Sequence, residues 1–136
     1  DNTFRRSYGR KIFGVKYKRE IHAVMCFAYT NEIPKSVEEL DIMSQDAHLQ
    51  STLRGQNVGK IAIAYTVWSK KKGGGKLIVK EVFNKIKKSN HLNRLVTLSP
   101  LTDMAYKFHI KNGAKLISVN ETTQNVEYKV IKNKKY

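Results

Sequence analysis

Cysteine and long apolar runs are scarce in this sequence of 136 residues. Cys26 is the single cysteine, so no disulfide can form within the chain, and this suits a reducing compartment. No apolar run comes near the roughly 20 residues that a helix needs to span a bilayer. These absences favour a cytoplasmic protein without a membrane span. Cys26 lies in an apolar run without charged neighbours, which is typical of a buried, unreactive thiol.

Acidic residues are also few, since 11 Asp and Glu stand against 26 Lys and Arg and give a net charge of +15. The imbalance is uneven along the chain. Residues 31–58 carry two basic and five acidic side chains, whereas residues 59–136 carry 17 basic and four acidic ones. A field this positive favours polyanionic partners such as nucleic acid, phosphates or anionic membrane. A lysine-rich solvated surface explains the same composition equally well.

Hydrophobic periodicity predicts six strands and two long helices. The strands are predicted at 11–18, 21–30, 60–68, 94–98, 115–119 and 126–131, and the helices at 76–88 and 102–112. The first two strands are expected to meet in a tight turn at Arg19 and Glu20. Strands that alternate with helices imply parallel neighbours, and hairpins imply antiparallel ones. The prediction is therefore one α/β domain over residues 1–136 with a mixed sheet.

The acidic segment 31–58 is interpreted as an insertion between two strands. Ser36, followed three residues later by Glu39, has the capping-box pattern of a helix start. Residues 44–58 are polar and are predicted to form a loop or a short helix.

Residues 60–68, KIAIAYTVW, give the clearest strand signal. Simple alternation assigns Ile61, Ile63, Tyr65 and Val67 to one face, and Ala62, Ala64, Thr66 and Trp68 to the other. Both faces are apolar, as in a central strand that is covered on both sides. Trp68 at its end is expected to pack in the core, with contact to a cofactor as the alternative.

A glycine- and lysine-rich segment, SKKKGGGK at 69–76, joins this strand to the next helix. Glycines let a backbone approach a phosphate closely. Free N–H groups at a helix start bind anions with the help of the helix dipole. Four lysines add positive charge at the same place: Lys70, Lys71, Lys72 and Lys76. The segment predicts a phosphate or pyrophosphate site, and a basic surface turn is the alternative.

Two common nucleotide motifs and a metal motif are missing. Only three residues separate Gly55 from Gly59, and Lys60 is followed by Ile61, so the chain has no P-loop; no G-x-G-x-x-G follows a strand either. These absences argue against an ATPase or a dinucleotide-dependent enzyme. The four histidines lack close metal-ligand spacing, so no metal site is expected.

The glycine segment and a later helix resemble two signatures of the GNAT (Gcn5-related N-acetyltransferase) superfamily. The signature [RQ]-x-x-G-x-[GA] after the fourth strand is similar to Lys70-x-x-Gly73-x-Gly75, with lysine in place of Arg or Gln. The places of the signature N-x-x-A-x-x-[LF]-Y-x-x-x-G are occupied by Thr102, Ala105, Phe108, His109 and Gly113. The resemblance covers roughly residues 10–131. It implies a mixed, mostly antiparallel sheet of about six to seven strands with helices on both faces.

The resemblance also implies an N-acyltransferase that uses acetyl-CoA or another acyl-CoA. In this family the backbone of the fourth strand holds the pantetheine arm, and loop amides hold the pyrophosphate of coenzyme A. By position, Tyr65, Thr66 and Val67 are expected at the pantetheine. The pyrophosphate is expected at Lys70, Lys71, Lys72, Gly73, Gly74, Gly75 and Lys76.

Catalytic residues are harder to assign, because the chain departs from the family at both usual positions. His109 occupies the place of the frequent catalytic tyrosine, and an imidazole with a pKa near neutrality can protonate a leaving thiolate. A helix histidine without a chemical role is the alternative, and Tyr106, one turn away, is a weaker substitute. The family's glutamate base has no counterpart in residues 60–67. Glu20, His22 or an ordered water are the candidates for that role.

Three functions stay open at this point. The first is acyl transfer to an amine on an anionic acceptor, although the acidic segment 31–58 would suit a cationic amine. The second is a nucleic-acid-binding module that uses the glycine–lysine segment as a backbone clamp. The third is a catalytically degenerate protein that keeps the GNAT fold without turnover. Coenzyme A binding separates the second function from the other two.

Overall fold

The computed structural model describes residues 4–5, 7–55, 58–70 and 72–130. Over these residues the chain forms a seven-stranded sheet and three helices longer than two turns. The strands are β1 (Lys11–Tyr17), β2 (Glu20–Thr30), β3 (Ile61–Ser69), β4 (Arg94–Thr97), β5 (Ser99–Pro100), β6 (Lys115–Val119) and β7 (Thr123–Tyr128). The helices are α1 (Val37–Arg54), α2 (Gly74–Lys88) and α3 (Asp103–Lys111). No helix in this part of the chain is long and apolar enough to cross a membrane.

The sheet is mixed, with one parallel pair. Its strands follow the order β1-β2-β3-β4-β7, with β5 next to β4 on the same side of β7 and β6 on the other side. β3 and β4 run parallel, and the remaining pairs are antiparallel. The predicted mixed, mostly antiparallel sheet is confirmed. Two-residue β5 was not expected, because Ser99-Pro100 looked like the end of a strand; it resumes pairing with β7 after Leu98.

Two buried clusters cover the two faces of the sheet. On one face, called the α2 face, Ala62 shares a cluster with Ile78 and Val82 of α2. On the opposite α1 face, Ile63 shares a cluster with Leu40 of α1. Helices on both faces are therefore confirmed, and the helix predicted at 76–88 is α2, which begins two residues earlier.

The hairpin between β1 and β2 turns one residue earlier than expected. Lys18 and Arg19 occupy the turn, both with positive φ, at 50° and 69°. Two left-handed residues match the twist of the strands in a two-residue hairpin. Glu20 is already the first residue of β2.

Helix α1 begins as predicted but extends further. Ser36 caps it, since its Oγ accepts a hydrogen bond from the Glu39 N–H at 3.1 Å. The expectation of a loop or a short helix over 44–58 is wrong, because α1 continues to Arg54. The buried side of the helix uses Ser44 and the small Ala47 in place of large apolar residues, so the helical period is weak in the sequence.

The last strand also begins earlier than its apolar pattern. It was predicted at 126–131 and starts at Thr123. Its first residues are polar yet buried, because they hydrogen-bond to distant carbonyls. Asn125 Nδ2 donates to Pro34 O at 2.9 Å and to Thr97 O at 3.0 Å.

Candidate functional site

Strands β3 and β4 separate halfway along β3. Their parallel pairing ends at Ala64 opposite Thr97, and the Leu98 N–H then donates to Ala64 O at 2.8 Å. Beyond this point β3 pairs with β2 alone, as far as Ser69 opposite Ala23. One edge of residues 65–69 therefore faces a gap in the sheet.

A β-bulge marks the point of separation. Opposite β2, Ala64 pairs with Phe27 and Thr66 pairs with Cys26, so Tyr65 is an extra residue on β3. The simple alternation predicted for this strand is therefore wrong beyond Tyr65. Tyr65 stays on the α1 face with Ile61 and Ile63, whereas Val67 packs with the α2 face.

The gap opens into a cleft of about 360 Å³. Its walls come from the second half of β3, from β5 with Leu98, from the start of α2, and from α3. The lining residues include Tyr65, Thr66, Val67, Ser69, Gly75, Leu98, Ser99, Pro100, Met104, Phe108 and His109. The three predicted pantetheine residues, Tyr65 to Val67, all lie on this wall. Among the residues that the structure describes, no Asp or Glu lines the cleft.

The glycines of the glycine–lysine segment serve three different geometries. Gly73 is the N-cap of α2 and has a φ of 84°, which favours glycine. A Cβ on Gly74 would lie 2.5 Å from Ser69 Oγ, and a Cβ on Gly75 would lie 2.8 Å from Cε1 of Phe108. Gly74 and Gly75 are thus needed for close packing of α2 against β3 and α3. This packing places the start of α2 at the edge of the cleft.

The start of α2 carries N–H groups that have no acceptor among the described residues, together with positive charge. Gly73 provides no side-chain cap, and the first turn holds no acidic residue. The first intrahelical bond is donated by Leu77 to Gly73 O, so the N–H groups of residues 74–76 precede the helical ladder. Lys70, Lys72 and Lys76 are exposed around this turn, and Lys71 lies outside the described residues. The arrangement suits an anion next to the cleft.

His109 is buried at the inner wall of the cleft. Its side chain is 4% exposed, and its Nδ1 lies 2.6 Å from the hydroxyl of Tyr128. Burial lowers the pKa of His109 from 6.5 to about 4, and it raises the pKa of Tyr128. The expected near-neutral pKa of His109 is therefore wrong. At neutral pH the ring is uncharged, so it acts through a neutral N–H or a lone pair.

The other predicted catalytic residues lie away from the cleft wall. Tyr106 is 38% exposed on α3, and Glu20 is exposed at the first position of β2. His22 is half-buried on β2, and its carbonyl accepts a hydrogen bond from the Lys70 N–H at 2.9 Å. None of these three lines the cleft. In the described part of the chain, no cluster of three or more His, Cys, Asp or Glu is placed to hold a metal ion.

Two features of the cleft escaped the sequence analysis. Ser99 lies at the cleft, and its hydroxyl donates to Thr97 Oγ1 at 2.9 Å. The only sequence feature that could have pointed to Ser99 is the Ser-Pro pair directly after a predicted strand. The Tyr65 hydroxyl is buried and has no hydrogen-bond partner among the described residues, and burial raises its pKa to about 12. Trp68, expected in the core, is 48% exposed at the end of β3.

Comparison with known proteins gives structural matches only. Neither a protein-family model nor a curated protein sequence matches this chain. The loading GNATL domain of CurA from Lyngbya majuscula aligns with a TM-score of 0.66 at 12% identity, over 88% of this chain and 76% of that chain. The GphF GNAT-like decarboxylase in complex with isobutyryl-CoA gives a TM-score of 0.68 at 9% identity, over 88% and 78% of the two chains.

An acetyltransferase of the same fold is also similar. Campylobacter jejuni N-acetyltransferase PseH in complex with acetyl coenzyme A aligns with a TM-score of 0.58 at 15% identity, over 94% of this chain and 73% of that chain. At such identities the likeness shows the fold alone. The fold expected from the resemblance is confirmed, and this chain has the fold of GNAT acetyltransferases.

Proposed function

We propose that the protein binds acyl-coenzyme A, with acetyl-CoA as the first candidate, and transfers the acyl group to an amine. One observation carries this proposal: the bulged, half-unpaired strand β3 lies beside the uncapped start of α2. The first feature offers backbone hydrogen bonds to an extended amide-containing chain. The second offers N–H groups to a phosphate.

The residues present fit an acyl-CoA. Tyr65, Thr66 and Val67 lie along the free edge of β3, and Leu98, Pro100, Met104 and Phe108 make the facing wall largely apolar. This combination suits a pantetheine arm, which has amides along a flexible aliphatic chain. The pyrophosphate would meet the amides of Gly74, Gly75 and Lys76, with Lys70, Lys71 and Lys72 supplying charge. The bound thioester would supply an activated acyl group.

The chain's own groups would then orient the reaction. In acyl transfer the amine nitrogen bonds to the thioester carbonyl carbon, the carbon–sulfur bond breaks, and the amine proton ends on the sulfur. Backbone N–H groups of β3 would polarise the carbonyl, and His109 lies on the wall where the sulfur would sit. No described carboxylate lines the cleft, so the amine would arrive uncharged or give its proton to water.

For the acceptor we favour a molecule that carries negative charge. The net charge of +15 repels polyamines and basic tails and attracts nucleotides, nucleic acid, aminoacyl-tRNA or acidic protein surfaces. The acidic residues of α1 favour the other kind of acceptor, because they would attract a cationic amine. An acceptor screen should therefore include both kinds of amine.

Calorimetric titration tests the proposed function. Acetyl-CoA is titrated at two salt concentrations, with 3′-dephospho-coenzyme A and a short DNA duplex as comparators. Binding of acetyl-CoA that persists at the higher salt concentration supports the proposal. Absence of coenzyme A binding, together with DNA binding that weakens steeply with salt, would replace it with a nucleic-acid-binding module.

A second function, decarboxylation of a carboxyacyl-CoA, is favoured by the lack of a described carboxylate base in the cleft. Loss of CO₂ breaks a carbon–carbon bond and leaves the electron pair on the thioester enolate, which then takes up a proton. That chemistry needs a hydrogen-bond donor such as His109, but no general base. One structural neighbour is described as a GNAT-like decarboxylase. Incubation with malonyl-CoA, with and without an amine, separates CO₂ release from acyl transfer.

A further inference from the structure

The contact between His109 and Tyr128 joins the cleft wall to the last residue of β7. Both side chains are buried, each 4% exposed. The two rings meet edge to face, with centroids 5.7 Å apart and planes at 77°, and Nδ1 of His109 lies 2.6 Å from the Tyr128 hydroxyl. The distance is that of a hydrogen bond between well-aligned groups.

The direction of this hydrogen bond decides what His109 presents to the cleft. If Nδ1–H donated to the phenol oxygen, the phenol proton would have no acceptor among the described residues. If the phenol O–H donates to Nδ1, both groups are satisfied. The remaining polar group is then the Nε2–H. Buried polar hydrogens are almost always bonded, so the second arrangement is favoured.

Nε2 is the nitrogen that the cleft can reach. It has no hydrogen-bond partner among the described residues, yet it is not among the buried unpartnered polar atoms of that part of the chain. It therefore keeps contact with solvent, and the cleft is the open volume that His109 lines. The charged imidazolium form does not compete near neutral pH, because burial lowers the pKa of His109 to about 4.

Neighbouring residues hold this geometry. Phe108 contacts the His109 ring edge to face, with centroids 5.0 Å apart. The Phe108 ring in turn lies against Gly75 at the start of α2. Tyr128 pairs with Leu95 of β4, and its ring contacts His109 of α3. The His109 ring is thus held between Phe108 on the cleft side and Tyr128 on the sheet.

We infer that Tyr128 is a positioning residue: its hydroxyl donates to Nδ1 of His109 and fixes the imidazole in the tautomer that carries its proton on Nε2, directed into the cleft. His109 is then a hydrogen-bond donor to a developing negative charge, and it is unable to act as the base that accepts the amine proton. The consequence for acyl transfer rests on the proposed function, whereas the tautomer itself does not.

Nitrogen NMR tests the tautomer directly. Long-range ¹H–¹⁵N spectra of the full chain, labelled at histidine, identify which ring nitrogen carries the proton, and His109→Gln assigns the signal. We expect a single His109 tautomer with protonated Nε2 and hydrogen-bonded Nδ1. The Tyr128→Phe variant keeps the ring and should show a shifted Nδ1 signal and a mixture of tautomers. Tyr106→Phe makes the same chemical change at an exposed site one turn away and should leave the His109 signals unchanged.

Two results would overturn the inference. One is a wild-type spectrum with the proton on Nδ1, which decides the question even if Tyr128→Phe does not fold. The other is a folded Tyr128→Phe variant whose His109 signals match the wild type. Neither result depends on acyl-CoA, so the tautomer can fail or stand independently of the proposed function.

Kinetics test the consequence for the reaction. We expect Tyr128→Phe to lower kcat about tenfold, within the modest range of a lost polar contribution to catalysis, and to leave the KM for acyl-CoA within about twofold. If Tyr128→Phe altered the tautomer but left kcat unchanged, the tautomer of His109 would have no role in the reaction. A wild-type protein that binds no acyl-CoA would instead contradict the proposed function and leave the tautomer result in place.

Discussion

The two halves of strand β3 have the same kind of sequence and opposite surroundings. Ile61 to Ala64 are at most 6% exposed and pair with β2 on one side and β4 on the other. Thr66 to Ser69 pair with β2 alone, and exposure rises along them until Trp68 is 48% exposed. The change occurs at a single extra residue. A bulge of one residue is therefore enough to turn a core strand into the wall of a cleft.

The largest expected difference between the halves is in stability. Ile63→Ala removes a fully buried side chain from the α1 face and should lower the free energy of unfolding by about 2–5 kcal/mol. Val67→Ala changes a half-buried residue of the cleft wall and should cost about 1 kcal/mol. Denaturant titration of both variants measures the difference. Equal losses would mean that the second half of β3 is as much a part of the core as the first.

The loss of stability at acidic pH that is due to His109 in the cleft wall should be nearly as large as the loss in Ile63→Ala. The pKa of His109 is lowered from 6.5 to about 4 in the folded chain, so between these values the unfolded chain binds more protons. Stability is therefore lost as pH falls from 6.5 towards 4, and the loss levels off below that. The shift corresponds to roughly 3 kcal/mol.

Unfolding measured at several pH values checks this expectation. His109→Gln should have a flatter stability profile than the wild type between pH 6.5 and 4. The difference between the two profiles isolates His109 from the other titrating groups. Parallel profiles would show that His109 is not buried in its neutral form.

A smaller effect is expected on acetyl-CoA affinity at the start of α2, where a change in backbone packing should weaken binding more than the loss of a lysine side chain. Gly75→Ala places a Cβ 2.8 Å from the Phe108 ring and should weaken acetyl-CoA binding about tenfold, a loss of about 1.4 kcal/mol. Lys72→Ala removes an exposed charge and should weaken binding only about twofold to threefold. Circular dichroism confirms that each variant is folded before calorimetry. A larger loss in the lysine variant would mean that charge, rather than backbone shape, holds the phosphate.

Sequence patterns located most elements because their signals are local. The Ser36 cap and the hydrophobic periodicity of α2 each depend on residues within a few positions. The resemblance to GNAT signatures added the mostly antiparallel sheet and the expectation that Tyr65 to Val67 contact the cofactor. His109 lines the cleft, and its role in catalysis stays a prediction.

The features that the sequence did not predict depend on contacts with residues far away along the chain. The bulge at Tyr65 left no trace, because residues on both sides of it are apolar and either alternation suits them. The polar start of β7 looked like a loop, since Asn125 is satisfied by Pro34, 91 residues away. The neutral state of His109 follows from burial beside Tyr128, which is 19 residues away. Such features appear only when the sheet has formed.

An amide NMR titration with acetyl-CoA tests the central claim most directly, because it reports on both halves of β3 at once. The amide signals of Tyr65–Ser69 and of Gly73–Lys76 should shift on binding, and those of Ile61–Ile63 should stay in place. Shifts confined to the first half, shifts around α1, or no shifts at saturating ligand would contradict the account, since the free edge of β3 would then not be a coenzyme A site.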